Sequence, residues 1–142
     1  MLPPVQTLLP LLFDENECIR TLTVSGVFYA TLHCPSCGDI MQANVGALRF
    51  RCRKRSCESG LSIRSHTFFY GSRLKCSQIL YLGYLWLNRN SQTQAINATG
   101  CSPNPVTAFF GHFRTRVATT LDDEETYACG PGVVVEIDET IL

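Results

Sequence analysis

Cys34, Cys37, Cys52 and Cys57 carry the clearest chemistry in the sequence. Two residues separate the first pair, fourteen separate the pairs, and four separate the second pair. Structural zinc takes four tetrahedral ligands, and thiolates serve well. A Cys-x-x-Cys turn presents two sulfurs to one ion. Pro35 and Gly38 suit such a turn, because proline fixes φ and glycine tolerates positive φ. A hairpin between the pairs returns the second to the first, so the spacing predicts one structural Zn²⁺. Four thiolates around a divalent ion leave net negative charge, which Arg51, Arg53, Lys54 and Arg55 can offset. A redox Cys-x-x-Cys is the rival reading, but no thioredoxin-like βαβ pattern surrounds this one. His33 and His66 stand near enough in sequence to substitute as ligands.

The other four of the eight cysteines, Cys18, Cys76, Cys101 and Cys129, are scattered singly. They read as small buried apolar residues. A chain of 142 residues predicts one compact domain or two very small ones. The apolar run around Leu8–Phe13 is short, broken by Pro10 and without a basic leader, which argues against a secretory signal. No stretch approaches a membrane span, so a soluble, intracellular protein is expected. The formal net charge is zero but unevenly spread. Residues 1–48 carry one Arg and four acids, residues 49–90 nine Lys/Arg and one Glu, and residues 91–142 two Arg and seven acids. A basic middle between acidic ends permits a local polyanion contact that the total hides.

The elements that must hold the cysteines follow from pattern. Asp14 and Glu17 resemble a capping box, with Phe13 and Cys18 at the staple positions, opening a surface helix over 15–23. Residues 27–33, 46–52 and 61–70 read as strands of a small antiparallel sheet. Residues 76–88 are apolar nearly all round and predict a buried helix, with Tyr84 and Trp86 as core anchors. A short helix over 91–99 stops at Gly100, and Ser102-Pro103 opens another. Val106, Phe109, Phe110, Phe113 and Val117 form its apolar stripe.

That pair resembles a helix-turn-helix. Its outer face would carry Asn104, Ala108, Gly111 and Thr115, flanked by Thr107, His112 and Arg114. Such groups suit a major groove, and an αα-hairpin that merely packs is the alternative. Asp122–Glu125 reads as a linker, Gly130-Pro131-Gly132 as a turn, and residues 133–138 as an apolar strand ending on Asp138. A carboxylate there often holds a divalent metal.

Taken in order, these segments resemble the Merlin-type, insertion-sequence-related DDE transposases. The matching residues are Glu17-Cys18-Ile19, Cys34-Pro35-Ser36-Cys37, the run from Phe50 to Cys57, Ser65-His66-Thr67-Phe68-Phe69 and Gly71-Ser72-Arg73-Leu74. Further on come Tyr84-Leu85-Trp86-Leu87, Gly100-Cys101-Ser102 and the run from Gly130 to Glu139. The resemblance implies that Asp138 is the first acid of a Mg²⁺-binding triad on an RNase H-like sheet. It also implies that the ribbon and helices recognise double-stranded terminal inverted repeats, with self-association allowed. The location implied is intracellular, and nuclear in a eukaryotic host. The sequence ends at Leu142, where the family continues to its second and third acids, so a copy truncated after the first acid is expected. One carboxylate does not assemble a two-metal centre, so the chain would not cleave strands alone. A domesticated zinc-ribbon module for protein or DNA interaction is the alternative.

The expected class is therefore α+β. A helical segment over 1–24 precedes a zinc ribbon over 25–72 and a helix-turn-helix-like segment over 73–120. An acidic linker and turn over 121–132 lead to the start of an RNase H-like domain over 133–142. The residues expected to meet DNA are Arg53, Lys54, Arg55, Asn104, Thr107, Ala108, His112 and Arg114.

Overall fold

Asp14 divides the first helical stretch in two. It is extended, and its carboxylate accepts hydrogen bonds from the amides of Asn16 (2.9 Å) and Glu17 (3.3 Å). It thereby satisfies amides that a helix start leaves open. In the computed structural model, which describes residues 3–123, α1 spans Val5–Phe13 and α2 spans Glu15–Val24. The capping box is half made: Asp14 caps, while Glu17 pairs with Arg20. The staple is not made as expected, because Phe13 lies largely exposed with its ring 5.1 Å from Tyr81. Helix α1 falls inside the helical segment expected over 1–24, although the sequence marks only the helix over 15–23 within it. Pro10 sits inside it, which removes an amide and hides a pattern that buries Leu12. Cys18, Ile19 and Leu22 bury one face of α2, which packs on a later helix and so is no plain surface element, against expectation.

Four short strands follow: β1 Thr31–His33, β2 Ile40–Asn44, β3 Arg49–Arg51 and β4 Gly60–Ser62. They form one antiparallel sheet in the order β1-β2-β3-β4. The strands expected at 27–33, 46–52 and 61–70 are each shortened, for local reasons. The amides of Val27 and Phe28 both donate to Leu22 O, closing the end of α2 around Gly26 (φ +75°). Residues 46–48 form the β2–β3 turn, where the amide of Ala47 donates to Asn44 Oδ1. Residues 63–70 run through successive tight turns that bury Ile63, Ser65 and Phe69. Strand β2 was missed, since Met41 is its one fully buried side chain and gives weak alternation.

α3 (Cys76–Leu87), α4 (Gln92–Thr99) and α5 (Pro103–Asp123) complete the described chain, which is α+β with five helices among the described residues. α3 is the central helix, packed on α1, α2, α4 and α5, as its all-round apolarity requires. Ser91 and Gln94 form a reciprocal cap on α4, and Gly100 ends it in the left-handed region at φ +67°. Along α5, Val106, Phe109 and Phe110 are buried and Phe113 is half-buried. The stripe stops there, for Val117 is 43% exposed, against expectation. Tyr84 and Trp86 are half-buried, and the Trp86 ring lies 5.8 Å from Phe113.

Sheet and helices share one core. Phe69 meets Phe28 edge-on, while Phe68 stacks on Phe113 and touches Phe109. Buried residues run continuously from α2 through Met41 and Phe50 to α3 and α5. Among the described residues, no helix is long and apolar enough to cross a membrane. The rest of the acidic run, Cys129, and the expected strand with Asp138 lie outside the described residues.

Candidate metal centre

An antiparallel meander puts the β1–β2 and β3–β4 turns at the same end of the sheet, and both turns carry cysteines. Cys34 directly follows β1, and Cys52 directly follows β3. The two turns are built alike. The amide of Cys34 donates to Asp39 O, and that of Cys52 to Ser59 O, each at 2.8 Å. The residue after the second cysteine is left-handed in both, Gly38 at φ +77° and Glu58 at φ +46°.

The sulfurs converge. Cys34 and Cys57 Sγ lie 3.5 Å apart, as do Cys37 and Cys52, and all four fall within 4.8 Å of one another. A disulfide would need about 2.05 Å. A tetrahedron with metal–sulfur distances of about 2.3 Å has edges of about 3.8 Å, so the cluster matches four ligands on one ion. Cys34 and Cys52 are buried, and Cys37 and Cys57 half-buried. The four cysteines can hold a metal ion.

Their protonation fits that role. Burial opposes a thiolate at Cys34. The amides of Ser36 and Cys37 and the thiols of Cys57 and Cys37 outweigh it, and the pKa falls to about 6. At Cys37 the Asp39 amide favours the thiolate. Burial and the neighbouring sulfurs of Cys52, Cys34 and Cys57 prevail, and the thiol is pushed up to about 12. One negative charge is well held, and further ones repel it until a cation arrives.

Neither histidine joins the cluster. His33 is exposed, with Nδ1 3.1 Å from Gly38 O, so it braces the first turn instead. His66 is exposed at φ +62°. Cys18, Cys76 and Cys101 are buried free thiols outside the cluster. Burial pushes the Cys18 and Cys76 thiols up to about 12, which leaves them inert.

The residues expected to meet DNA fall into two groups on separate elements. Arg53, Lys54 and Arg55 are exposed in the second cysteine turn. Asn104, Thr107, Ala108, His112 and Arg114 are exposed along α5. Thr107 Oγ1 donates to Gln92 Oε1 (2.8 Å), which ties α5 to α4, and Arg114 Nε donates to Phe110 O (3.2 Å). Asp138 lies outside the described residues.

Of the β3 arginines, sequence reading casts Arg51 only as a charge offset for the thiolates and gives Arg49 no role. Arg49 and Arg51 are both exposed and flank buried Phe50. The signal is in the sequence itself, where Leu48, Phe50 and Cys52 alternate with Arg49, Arg51 and Arg53. No family model, characterised protein or solved structure matches this chain.

Proposed function

We propose that the four cysteines bind one zinc ion, that the sheet is therefore a zinc ribbon, and that the chain is the DNA-recognising N-terminal part of a Merlin-type DDE transposase. The observation that carries this reading is the convergence of four sulfurs within 4.8 Å at the end of a short antiparallel sheet. An all-thiolate, tetrahedral donor set of this size suits zinc, which has no redox chemistry to add. The ion is structural. It pins two turns and so fixes the sheet beside the helices.

DNA recognition is assigned to the ribbon's cations and to α5. Ala108 is small, which lets a backbone approach the floor of a major groove. Asn104, Thr107, His112 and Arg114, exposed along the same helix, supply donors and acceptors. Arg53, Lys54 and Arg55 supply phosphate contacts, which dominate affinity. Mg²⁺ and Asp138 belong to the catalytic domain the resemblance implies, and no catalytic step is assigned to the ribbon or the helices.

A gel-shift titration of the zinc-loaded chain against terminal-repeat duplex and a scrambled duplex tests the reading. The expected result is preference for the terminal repeat and affinity that falls steeply with salt. Affinity indifferent to both salt and sequence rejects it and leaves a zinc module with a protein partner.

A further inference from the structure

The sheet has a buried face and an open one, and its register names the side chains that share the open one. Met41 and Phe50 point into the core. In the alternate positions Gln42 stands opposite Arg51 and Asn44 opposite Arg49, with Thr31 beside Gln42 and Ser62 beside Arg49. All six are exposed. The four strands contain no acidic residue. Arg53 extends the row, for its Nη2 donates to Gln42 Oε1 at 2.5 Å. Arg49 lies across the sheet, since a Cβ on Gly60 would come within 2.8 Å of its Nη2. A shallow cleft of about 540 Å³ runs beside Gln42, Asn44, Arg51 and Arg53. Among the described residues, the ion pairs are Arg20–Glu17 and Arg64–Glu15, and neither uses these arginines.

Arg51 and Arg53 flank Cys52 and can offset the thiolates, but that role does not account for Arg49 or for the row as a whole. Lys54 and Arg55 already sit in the turn with the sulfurs. Arg49 begins β3, at the end of the strand away from them, about 10 Å from Cys52 at the rise of a strand. That is about one Debye length, so screening weakens any offset Arg49 gives the thiolates.

We infer that the open face formed by Arg49, Arg51 and Arg53 with Gln42 and Asn44 is a binding surface for the phosphodiester backbone of duplex DNA, read without regard to sequence. Guanidinium forks match phosphate oxygens, and alternate strand positions space them about 6.7 Å apart, a repeat suited to a repeating anion. The amides and hydroxyls between them are the neutral donors that phosphate contacts commonly recruit. The inference rests on the nucleic-acid reading above but not on α4 and α5. It gives the molecule a positioning surface separate from the face that would read bases.

The test compares the zinc-loaded wild-type chain with the double variant Arg49→Gln/Arg51→Gln, with Arg51→Lys, and with Arg20→Gln as a control on α2. Each is titrated with random-sequence duplex over a range of salt. Losing two phosphate contacts should cut the slope of log affinity against log salt by about 2. Affinity should fall roughly tenfold per arginine. Arg51→Lys should keep the wild-type slope, and Arg20→Gln should change nothing.

The ratio of terminal-repeat to random affinity separates the two proposals. A lost slope with no terminal-repeat preference in any protein sinks the transposase reading and leaves this surface standing. A clear preference with an unchanged slope in the double variant overturns this inference alone. No duplex binding by the wild type, or binding only to polyglutamate, overturns it as well. Should the double variant fail to fold, arginine-selective footprinting of the wild type decides: duplex should protect Arg49 and Arg51 from phenylglyoxal, and unprotected arginines contradict the proposal.

Discussion

Glu15 joins parts of the chain that lie far apart in sequence. Its carboxylate accepts from the amides of Cys76 and Ser77 (2.9 Å each), from Ser77 Oγ (2.8 Å) and from Arg64 Nη2 (3.4 Å). Cys76 and Ser77 open α3, where amides lack partners and negative charge is favoured. Arg64 also donates to Ser72 O and Leu74 O, so one ion pair gathers the start of α2, the end of the sheet and the approach to α3. Burial raises the Glu15 pKa, but the bonds from Ser77 and Cys76 and the Arg64 charge outweigh it, and the net direction is down. The stabilisation is therefore complete above the unfolded carboxyl's pKa near 4.5 and is lost as pH falls through the lower folded value. Glu15→Gln should cost about 1–2 kcal/mol at neutral pH, the worth of charged hydrogen bonds partly kept by an amide. The gap between variant and wild type in urea melts should close below that pKa; a gap constant to pH 3 contradicts the assignment. None of this was legible in sequence, where Glu15 is an ordinary acid in a first helical turn. The metal cysteines were legible because their spacing encodes a turn geometry, whereas Glu15 acts only through tertiary proximity.

At the scale of elements, helices were read more accurately than strands. α3, α4 and α5 start close to where expected: all-round apolarity places α3, Gly100 stops α4, and Ser102-Pro103 opens α5. The strands are three to five residues long, too short for alternation to define their ends. Residues 27–28 and 63–70 have strand-like composition, yet their backbones serve a helix end and a series of turns. The α4–α5 turn carries a sharp expectation. A Cβ on Gly100 meets nothing within 4 Å, so only its positive φ opposes substitution. Gly100→Ala should therefore lower stability by about 1 kcal/mol, and Gly100→Asn by less, since asparagine tolerates that region. Equal losses for both in thermal melts would point to a steric cause instead.

Across the whole molecule, the first part of the basic segment, Arg49, Arg51 and Arg53, becomes an exposed row on a sheet whose other face is sealed into the core by Met41 and Phe50. Phe68 and Phe69 carry that core from the sheet to the helices, so neither part closes without the other. The α+β class was legible from the switch between strand-like and helical periods. The single shared core was not, because it depends on irregular residues 63–75 that have no period. This arrangement would make a metal bound by the four cysteines a global matter. Binding on the order of 10 kcal/mol at a four-cysteine site is comparable to the whole stability of a small domain. Native mass spectrometry of the purified chain, with circular dichroism recorded before and after chelation, tests this most directly. The account predicts about one zinc per chain and loss of folded structure when it is stripped. A metal-free chain that keeps its spectrum and its melting temperature would contradict it.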